Sequence, residues 1–287
     1  MTRFCSVAGP YNRLDIGPGQ PLAIIAGPCV LEDPDLALRV AEIGAGACRR
    51  LERPYIFKAS YDTANRTTGS SPRGPGIDEG LAQLQRVRER LGVPITTDIH
   101  DPDQARTAAE VVDLLQIPAF LCRQTDLLLA AGEAAVTHAR AVNVKKGQFL
   151  SPQEMVGPVR KLAQTGCTNV MLTERGTFFG YNRLVNDFIG IGDMMHLAIE
   201  GRPSPPVCFD CTHSAQLPGL SATTGGRRDR VPMLAKAAVA AGVHAVFMEC
   251  HPDPEKAASD AATALPLSEV PRLLERLSAI ARAARDQ

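Results

Sequence analysis

Net charge is missing from this chain: its 287 residues carry 31 Lys and Arg against 31 Asp and Glu. A balanced surface gives no bulk field to hold the protein on nucleic acid or an anionic membrane, so any anion must be bound by a local cluster of cations. Long apolar runs are missing as well, and none approaches the roughly 20 residues a membrane helix requires. The opening residues, MTRFCSVAGPYNRLDIGPGQP, interrupt their apolar character with Asn, Arg, Asp, Gly and Pro, which a signal-peptide core does not tolerate. The expectation is a cytoplasmic protein with neither a membrane nor a nucleic-acid partner. A disulfide framework is equally unsupported. Cys5, Cys29, Cys48, Cys122, Cys167, Cys208, Cys211 and Cys250 are scattered along a chain long enough to build its own core, which favours reduced thiols. Cys208 and Cys211 form a C-x-x-C, but within the apolar PVCFDC residues three apart point to opposite faces of a strand.

What the sequence does contain is alternation. Eight short apolar runs read as strands: LAIIAG from Leu22, YIFKAS from Tyr55, PITTDI from Pro94, LLQIPA from Leu114, AVNVKK from Ala141, NVMLTER from Asn169, PVCFDC from Pro206 and AVFMEC from Ala245. Helix-like stretches separate them, among them DPDLALRVAEIGAGACRRLE, DEGLAQLQRVRERLG, SPQEMVGPVRKLAQTG and SEVPRLLERLSAIARAARD. The first, third and last of these open on Asp or Ser caps, and Gly92 and Gly166 stand where helices end. Strands alternating with helices make a parallel sheet, and eight of them predict an α/β fold of the closed (β/α)8 TIM-barrel type. The alternative is an open doubly wound sheet. The chain is read as one domain, with residues 1–20 a short N-terminal extension and 21–287 the barrel.

In such a barrel the chemistry gathers at the C-terminal ends of the strands. There the sequence places Cys29, Lys58 and Ser60, Asp98 and His100, Gln116, Asn143 and Lys145, Arg175, Asp210 and His213, and Glu249 and His251. Four of these pairs, Lys58/Ser60, Asp98/His100, Asn143/Lys145 and Glu249/His251, are spaced two apart, so each pair shares one face of its strand. Any single member has a bland explanation as the start of a loop or a hydrogen-bonded structural residue. Its repetition at the same end of successive strands is what points to a site.

Two kinds of chemistry suit these residues. Lys58, Lys145, Arg175 and Arg123 put several cations in one pocket, which makes sense when anionic groups bind there. The loop ASYDTANRTTGSSPRGPG adds Asn65, Arg66 and Arg73, and GGRR at Gly225 to Arg228 is a weaker phosphate-binding pattern. Cys29, His213, Glu249 and Asp260 supply thiolate, imidazole and carboxylate donors fit for Zn²⁺, Fe²⁺, Co²⁺ or Mn²⁺ without selecting among them.

At these residues the chain resembles the 3-deoxy-D-manno-octulosonate 8-phosphate synthase family, from about Leu22 to Leu267. The resemblance is carried by IAGPCVLE, FKASYDTANRT, RGPG, TDIHDP, QIPAFLCRQTDL, NVKKGQF, TERGTFFGYNRLVND, FDCTHSAQ, GGRR and FMECHPDPEKAASDAATALPL. Cysteine in GPCV is similar to the metal-dependent branch, since the other branch has asparagine at the position of Cys29. The resemblance implies condensation of phosphoenolpyruvate with arabinose 5-phosphate and water, releasing phosphate, for lipopolysaccharide biosynthesis. It assigns Lys58, Lys145 and Arg175 to phosphoenolpyruvate, with Ser60 and Gln116 nearby, and Asn65 and Arg66 to the sugar phosphate. It makes Cys29, His213, Glu249 and Asp260 the metal ligands and places Asp98 and His100 near the reacting carbons. It also implies a homotetramer in which Arg123 reaches a neighbour's pocket. Thr63 departs from the family, whose motif reads DKANR where this chain reads DTANR. Two alternatives remain: the related heptulosonate synthase that uses erythrose 4-phosphate, and a sugar-phosphate-binding barrel without catalysis.

Overall fold

The computed structural model describes residues 4–64, 72–179, 181–220 and 224–285. Eight strands occupy Ala23–Gly27, Tyr55–Lys58, Ile95–Asp98, Leu114–Ile117, Ala141–Lys145, Val170–Glu174, Val207–Asp210 and Ala245–His251. Each pairs in parallel with its sequence neighbours, and the eighth pairs with the first, so the sheet closes into a (β/α)8 barrel and not an open doubly wound sheet. The eight strands are those anticipated from the apolar runs, with ends that differ by a residue or two.

Helices follow the strands on the outside. The first, Pro34–Arg50, shows why the sequence folds this way: Asp33 accepts hydrogen bonds from the backbone N–H groups of Asp35 and Leu36, and Pro34 occupies the first turn, where its missing N–H costs nothing. Its buried Ala37, Val40, Ala41, Ala45 and Cys48 recur at helical spacing against the sheet. Ser151 and Ser268, read as helix caps, instead lie at 3₁₀ turns spanning Gln153–Met155 and Leu267–Glu269, and the α-helices begin at Val156 and Val270.

Alternation along the strands divides the apolar residues into two cores. Val142, Val144, Leu172, Val207, Phe209, Val246 and Met248 pack outward against the helices. Ile25, Ile56, Leu114, Ala141, Met171, Cys208, Ala245 and Phe247 point inward and fill the barrel's lower half. The N-terminal extension has its own structure: Cys5–Ala8 and Arg13–Ile16 form an antiparallel hairpin whose Cys5, Val7 and Ile16 join that inner core and plug the bottom. Asn169 fastens the hairpin by accepting from the Ser6 N–H and donating to the Ser6 carbonyl, both at 2.7 Å.

Candidate active site

Going up each strand on the inward parity, apolar residues give way to polar ones. Above the plug and the aliphatic layer come Thr96, Gln116, Asn143 and Thr173, all inaccessible to solvent, and above these Lys58, Asp98, Lys145, Asp210 and Glu249. Part of the first layer forms a chain of hydrogen bonds across neighbouring strands. The Thr173 hydroxyl donates to Asn143 Oδ1 at 2.7 Å, Asn143 Nδ2 to Gln116 Oε1 at 2.9 Å, and Gln116 Nε2 to Asp98 Oδ1 at 2.8 Å. Ser60 donates to the other oxygen of Asp98. Burial works against the Asp98 charge, but Lys58, Lys145, His100 and the Ser60 hydroxyl together bring its pKa down to about 2. The carboxylate is ionised across the physiological range.

The cations are buried, and the two lysines are matched to carboxylates. Lys58 Nζ donates to Glu249 Oε1 at 2.7 Å and to the Cys29 carbonyl at 2.8 Å. Burial opposes its charge, yet Glu249, Cys29 and Asp98 raise its pKa above the ordinary lysine value. The close approach of the first two strands depends on Gly27, where a Cβ would sit 1.8 Å from the Lys58 carbonyl oxygen. Lys145 Nζ donates to Asp210 Oδ2 at 2.7 Å and stands 3.7 Å from the centre of the Phe247 ring, a cation–π arrangement in a desolvated setting. Arg175 is buried; its Nη2 donates to Gln216 Oε1 at 2.7 Å, while Nη1 has no hydrogen-bond partner among the described residues. Burial is the main influence on this guanidinium and lowers its pKa. A donor held out of water without an acceptor suits an incoming anion.

Beside these cations the four candidate ligands come together. One ligand atom each from Cys29, Glu249 and Asp260 lies within 4.8 Å of the others, and all three residues are buried. Cys29 Sγ is 3.1 Å from Asp260 Oδ2, and His213 Nε2 is 3.7 Å from both Glu249 Oε1 and Asp260 Oδ2. His213 Nδ1 lies 2.7 Å from Asp210 Oδ2, so it donates to that carboxylate and leaves Nε2 facing Glu249 and Asp260. Burial disfavours the His213 charge, but Asp210 and Glu249 carry its pKa upward overall. Glu249 Oε2 is buried with no hydrogen-bond partner among the described residues. A thiol, an imidazole and two carboxylates, one with an unsatisfied oxygen, fit a divalent transition metal ion and its mixed ligand preference.

The structure gathers Cys29, Lys58, Ser60, Asp98, His100, Lys145, Arg175, His213 and Glu249 around one pocket at the barrel mouth, with Thr63 on its wall. Gln116 lies one layer below, and Asp260 stands behind Cys29 and His213. Thr63 is buried and its hydroxyl donates to the Pro72 carbonyl at 2.7 Å. Not every expected residue joins them. His251 points away, its Nδ1 2.7 Å from the Asp253 carbonyl oxygen and its Nε2 3.7 Å from Glu32 Oε1. Arg123 is exposed outside this pocket, and Asn65 and Arg66 lie outside the described residues. The GGRR segment opens no α-helix directly: Gly225–Gly226 pairs with Gln216–Leu217, and Arg228 donates to the Ala261 carbonyl and bonds Glu255 at 2.8 Å.

Asp210, Gln216 and Ser259 have no role readable from the sequence alone, although Asp210 stands at a strand end and Gln216 and Ser259 fall within the FDCTHSAQ and FMECHPDPEKAASDAATALPL segments. Cys208 faces the inner core and Cys211 the outer one, and burial pushes the Cys208 thiol up to about 12, so the pair is no redox motif. A larger cavity of about 910 Å³ lies at the opposite end of the barrel, between the hairpin and the Gly201–Pro206 segment. It holds none of the converging groups, and the chemistry belongs to the mouth.

A family model described as the DAHP synthetase I family matches residues 7–284. A protein of Cyanothece sp. named 2-dehydro-3-deoxyphosphooctonate aldolase is 52% identical over 268 residues, 93% of this chain and 94% of its own length. Proteins of the same name from Desulfatibacillum aliphaticivorans and Nitratidesulfovibrio vulgaris are 49% and 52% identical, over 99% and 90% of this chain and 100% and 91% of theirs.

Proposed function

The chain belongs to the DAHP synthetase I family, and from that premise we infer that it condenses phosphoenolpyruvate with D-arabinose 5-phosphate and water to give 3-deoxy-D-manno-octulosonate 8-phosphate and inorganic phosphate. The family description alone is compatible with the heptulosonate alternative. The octulosonate name shared by relatives about half identical over nearly the whole chain favours the longer sugar. The observation that carries the reaction class is Arg175 Nη1, a buried donor without a partner among the described residues, beside two buried lysines.

In the proposed mechanism Lys58, Lys145 and Arg175 hold the carboxylate and phosphate of phosphoenolpyruvate, with Ser60 and Gln116 fixing the floor through Asp98. Carbon 3 of phosphoenolpyruvate attacks the aldehyde carbon of the sugar while water adds to carbon 2. The resulting hemiketal phosphate collapses by C–O cleavage, the phosphate leaving with the former bridging oxygen. Anionic charge gathers on the phosphate and on the former aldehyde oxygen, where positioned cations act most strongly. Asp98 and His100 stand over the reacting carbons, with Asp98 held as an acceptor by its low pKa. Asn65 and Arg66 clamp the sugar phosphate. Cys29, His213, Glu249 and Asp260 would hold a divalent ion, which supplies Lewis acidity toward the aldehyde or the water.

The exposed Phe120, Phe149, Phe178 and Phe179, on loops after the fourth to sixth strands, support a homotetramer in which Arg123 enters a neighbour's pocket. No helix among the described residues is long and apolar enough to cross a membrane, and no cysteine among them is held in a disulfide, which supports a cytoplasmic setting.

The test uses phosphoenolpyruvate labelled with ¹⁸O at the bridging oxygen, offered with arabinose 5-phosphate or erythrose 4-phosphate and a divalent metal. Label should appear in inorganic phosphate, with the five-carbon sugar much the better acceptor. Label kept in the organic product removes the mechanism, and preference for erythrose 4-phosphate removes the substrate.

A further inference from the structure

Gln216 touches both halves of the site. Its Oε1 accepts from Arg175 Nη2 at 2.7 Å, and its Nε2 donates to Asp260 Oδ1 at 2.7 Å. A guanidinium only donates and a carboxylate only accepts, so the partners dictate the sense of the amide. Asp260 is thereby oriented: with Oδ1 held by Gln216, Oδ2 turns toward Cys29 Sγ and His213 Nε2.

The backbone around Asp260 is itself held in a specific conformation. Asp260 has φ of +52°, a left-handed conformation that an aspartate adopts at some cost. Its carbonyl accepts from the N–H groups of Thr263 and Ala264 at 3.0 and 2.9 Å. Gln216 itself rides on a two-residue strand paired with Gly225–Gly226, and that ribbon is pressed against the Asp260 loop: a Cβ on Gly226 would lie 2.1 Å from Thr263 Cγ2. Arg228, two residues on, donates to the Ala261 carbonyl. The GGRR segment therefore ties the ribbon to the loop, and the ribbon delivers the amide.

We propose that Gln216 is a positioning residue that links the anion-binding guanidinium of Arg175 to the metal-ligand carboxylate of Asp260, so that phosphoenolpyruvate and the metal ion bind cooperatively through it. This rests on the function proposed above. An anion on Arg175 Nη1 orders the guanidinium, which holds the amide, which holds Asp260 in the ligand-presenting rotamer. The coupling is reciprocal: whatever factor phosphoenolpyruvate contributes to metal affinity, the metal contributes to phosphoenolpyruvate affinity.

The experiment titrates the metal-stripped full-length enzyme with Co²⁺, following the thiolate-to-cobalt absorption of Cys29, with and without phosphoenolpyruvate and without sugar. In the parent, phosphoenolpyruvate should tighten Co²⁺ binding several-fold. Gln216→Met, close in shape but unable to bridge, should weaken Co²⁺ binding about 10- to 100-fold, the usual cost of losing an outer partner of a metal ligand. It should also lose the tightening and raise KM for phosphoenolpyruvate about tenfold, leaving KM for arabinose 5-phosphate within twofold. Gln216→Asn keeps the amide but is one methylene short, so it should resemble the methionine variant, and it decides the matter if that variant does not fold. Parent-like Co²⁺ affinity and tightening in the asparagine variant, or in a folded methionine variant, overturn the proposal. A parent that gives no thiolate band or no turnover instead overturns the function on which it rests.

Discussion

His244 gives a pH dependence whose size follows from the fold. It lies just before the eighth strand, where its Nδ1 accepts the Val207 N–H at 2.9 Å and its backbone N–H donates to the Val207 carbonyl at 2.9 Å. Burial, the largest influence, pushes the imidazole from its ordinary 6.5 down to about 4. Protonation at Nδ1 would in addition leave the Val207 donor without its acceptor. Between these two values the unfolded chain binds a proton that the folded chain refuses, so stability rises with pH. The contribution is fully present above pH 6.5 and is lost as pH falls toward 4, amounting to about 3 kcal/mol in all at about 1.4 kcal/mol per pH unit, with about 2 kcal/mol gone by pH 5. His244→Asn supplies a non-titrating acceptor at the same place. Urea unfolding of both proteins from pH 7 to pH 4.5, at one protomer concentration, isolates the effect, because the titrations of His100 and His213 cancel in the comparison. The parent should lose about 2 kcal/mol more than the variant over that range. Parallel curves would refute the burial argument.

Three further outcomes are expected. Cys29→Ala removes the thiolate and should lower both bound metal, measured by elemental analysis, and kcat; chelation should abolish parent activity, and Mn²⁺, Co²⁺, Fe²⁺ or Zn²⁺ should restore it to differing degrees. Full activity of metal-stripped enzyme would end the metal assignment. Arg66→Ala should raise KM for the sugar at least tenfold while KM for phosphoenolpyruvate changes little, consistent with loss of a charge-assisted pair worth about 1.5–3 kcal/mol; equal effects on both would remove the clamp. Thr63→Lys gives up the hydrogen bond to the Pro72 carbonyl but brings a cation to the pocket wall, so KM for phosphoenolpyruvate should hold or fall. Loss of activity in a folded variant would show a pocket rebuilt around threonine.

The strands were legible because their signal is local. Each is a short apolar run that either reaches the mouth with a polar residue or hands over to a helical pattern, and parity along the first run puts Cys29 on the side of Ile25. The N-terminal hairpin was not legible as a plug, since four-residue strands such as CSVA and RLDI acquire their meaning only from the barrel bottom they fill. The ligand set has no signature in local spacing, because Cys29 and Asp260 stand 231 residues apart in the chain and meet only on closure of the barrel. His251 shows the opposite failure: its two-residue spacing from Glu249 placed it on the right face, but the strand ends there and the ring turns to Glu32 and Asp253. Gln216 closes the FDCTHSAQ segment, yet the sequence gives it no role, since its importance lies in having two partners from distant loops.

The hydrogen bonds from Thr173 through Asn143 and Gln116 to Asp98 all run in one direction. Their dipoles add head to tail and end on a negative charge, so the row has a polarity as definite as that of a wire with one terminal grounded. Turning Gln116 over would set hydrogen against hydrogen at one joint and oxygen against oxygen at the other, and turning Asn143 over would set its oxygen against that of Gln116, so the two amides can reverse only together. The carboxylate at position 98 breaks that tie. Placing a neutral amide there would leave two senses of nearly equal energy, and the third to sixth strands would present their polar edges to the pocket in either of two patterns.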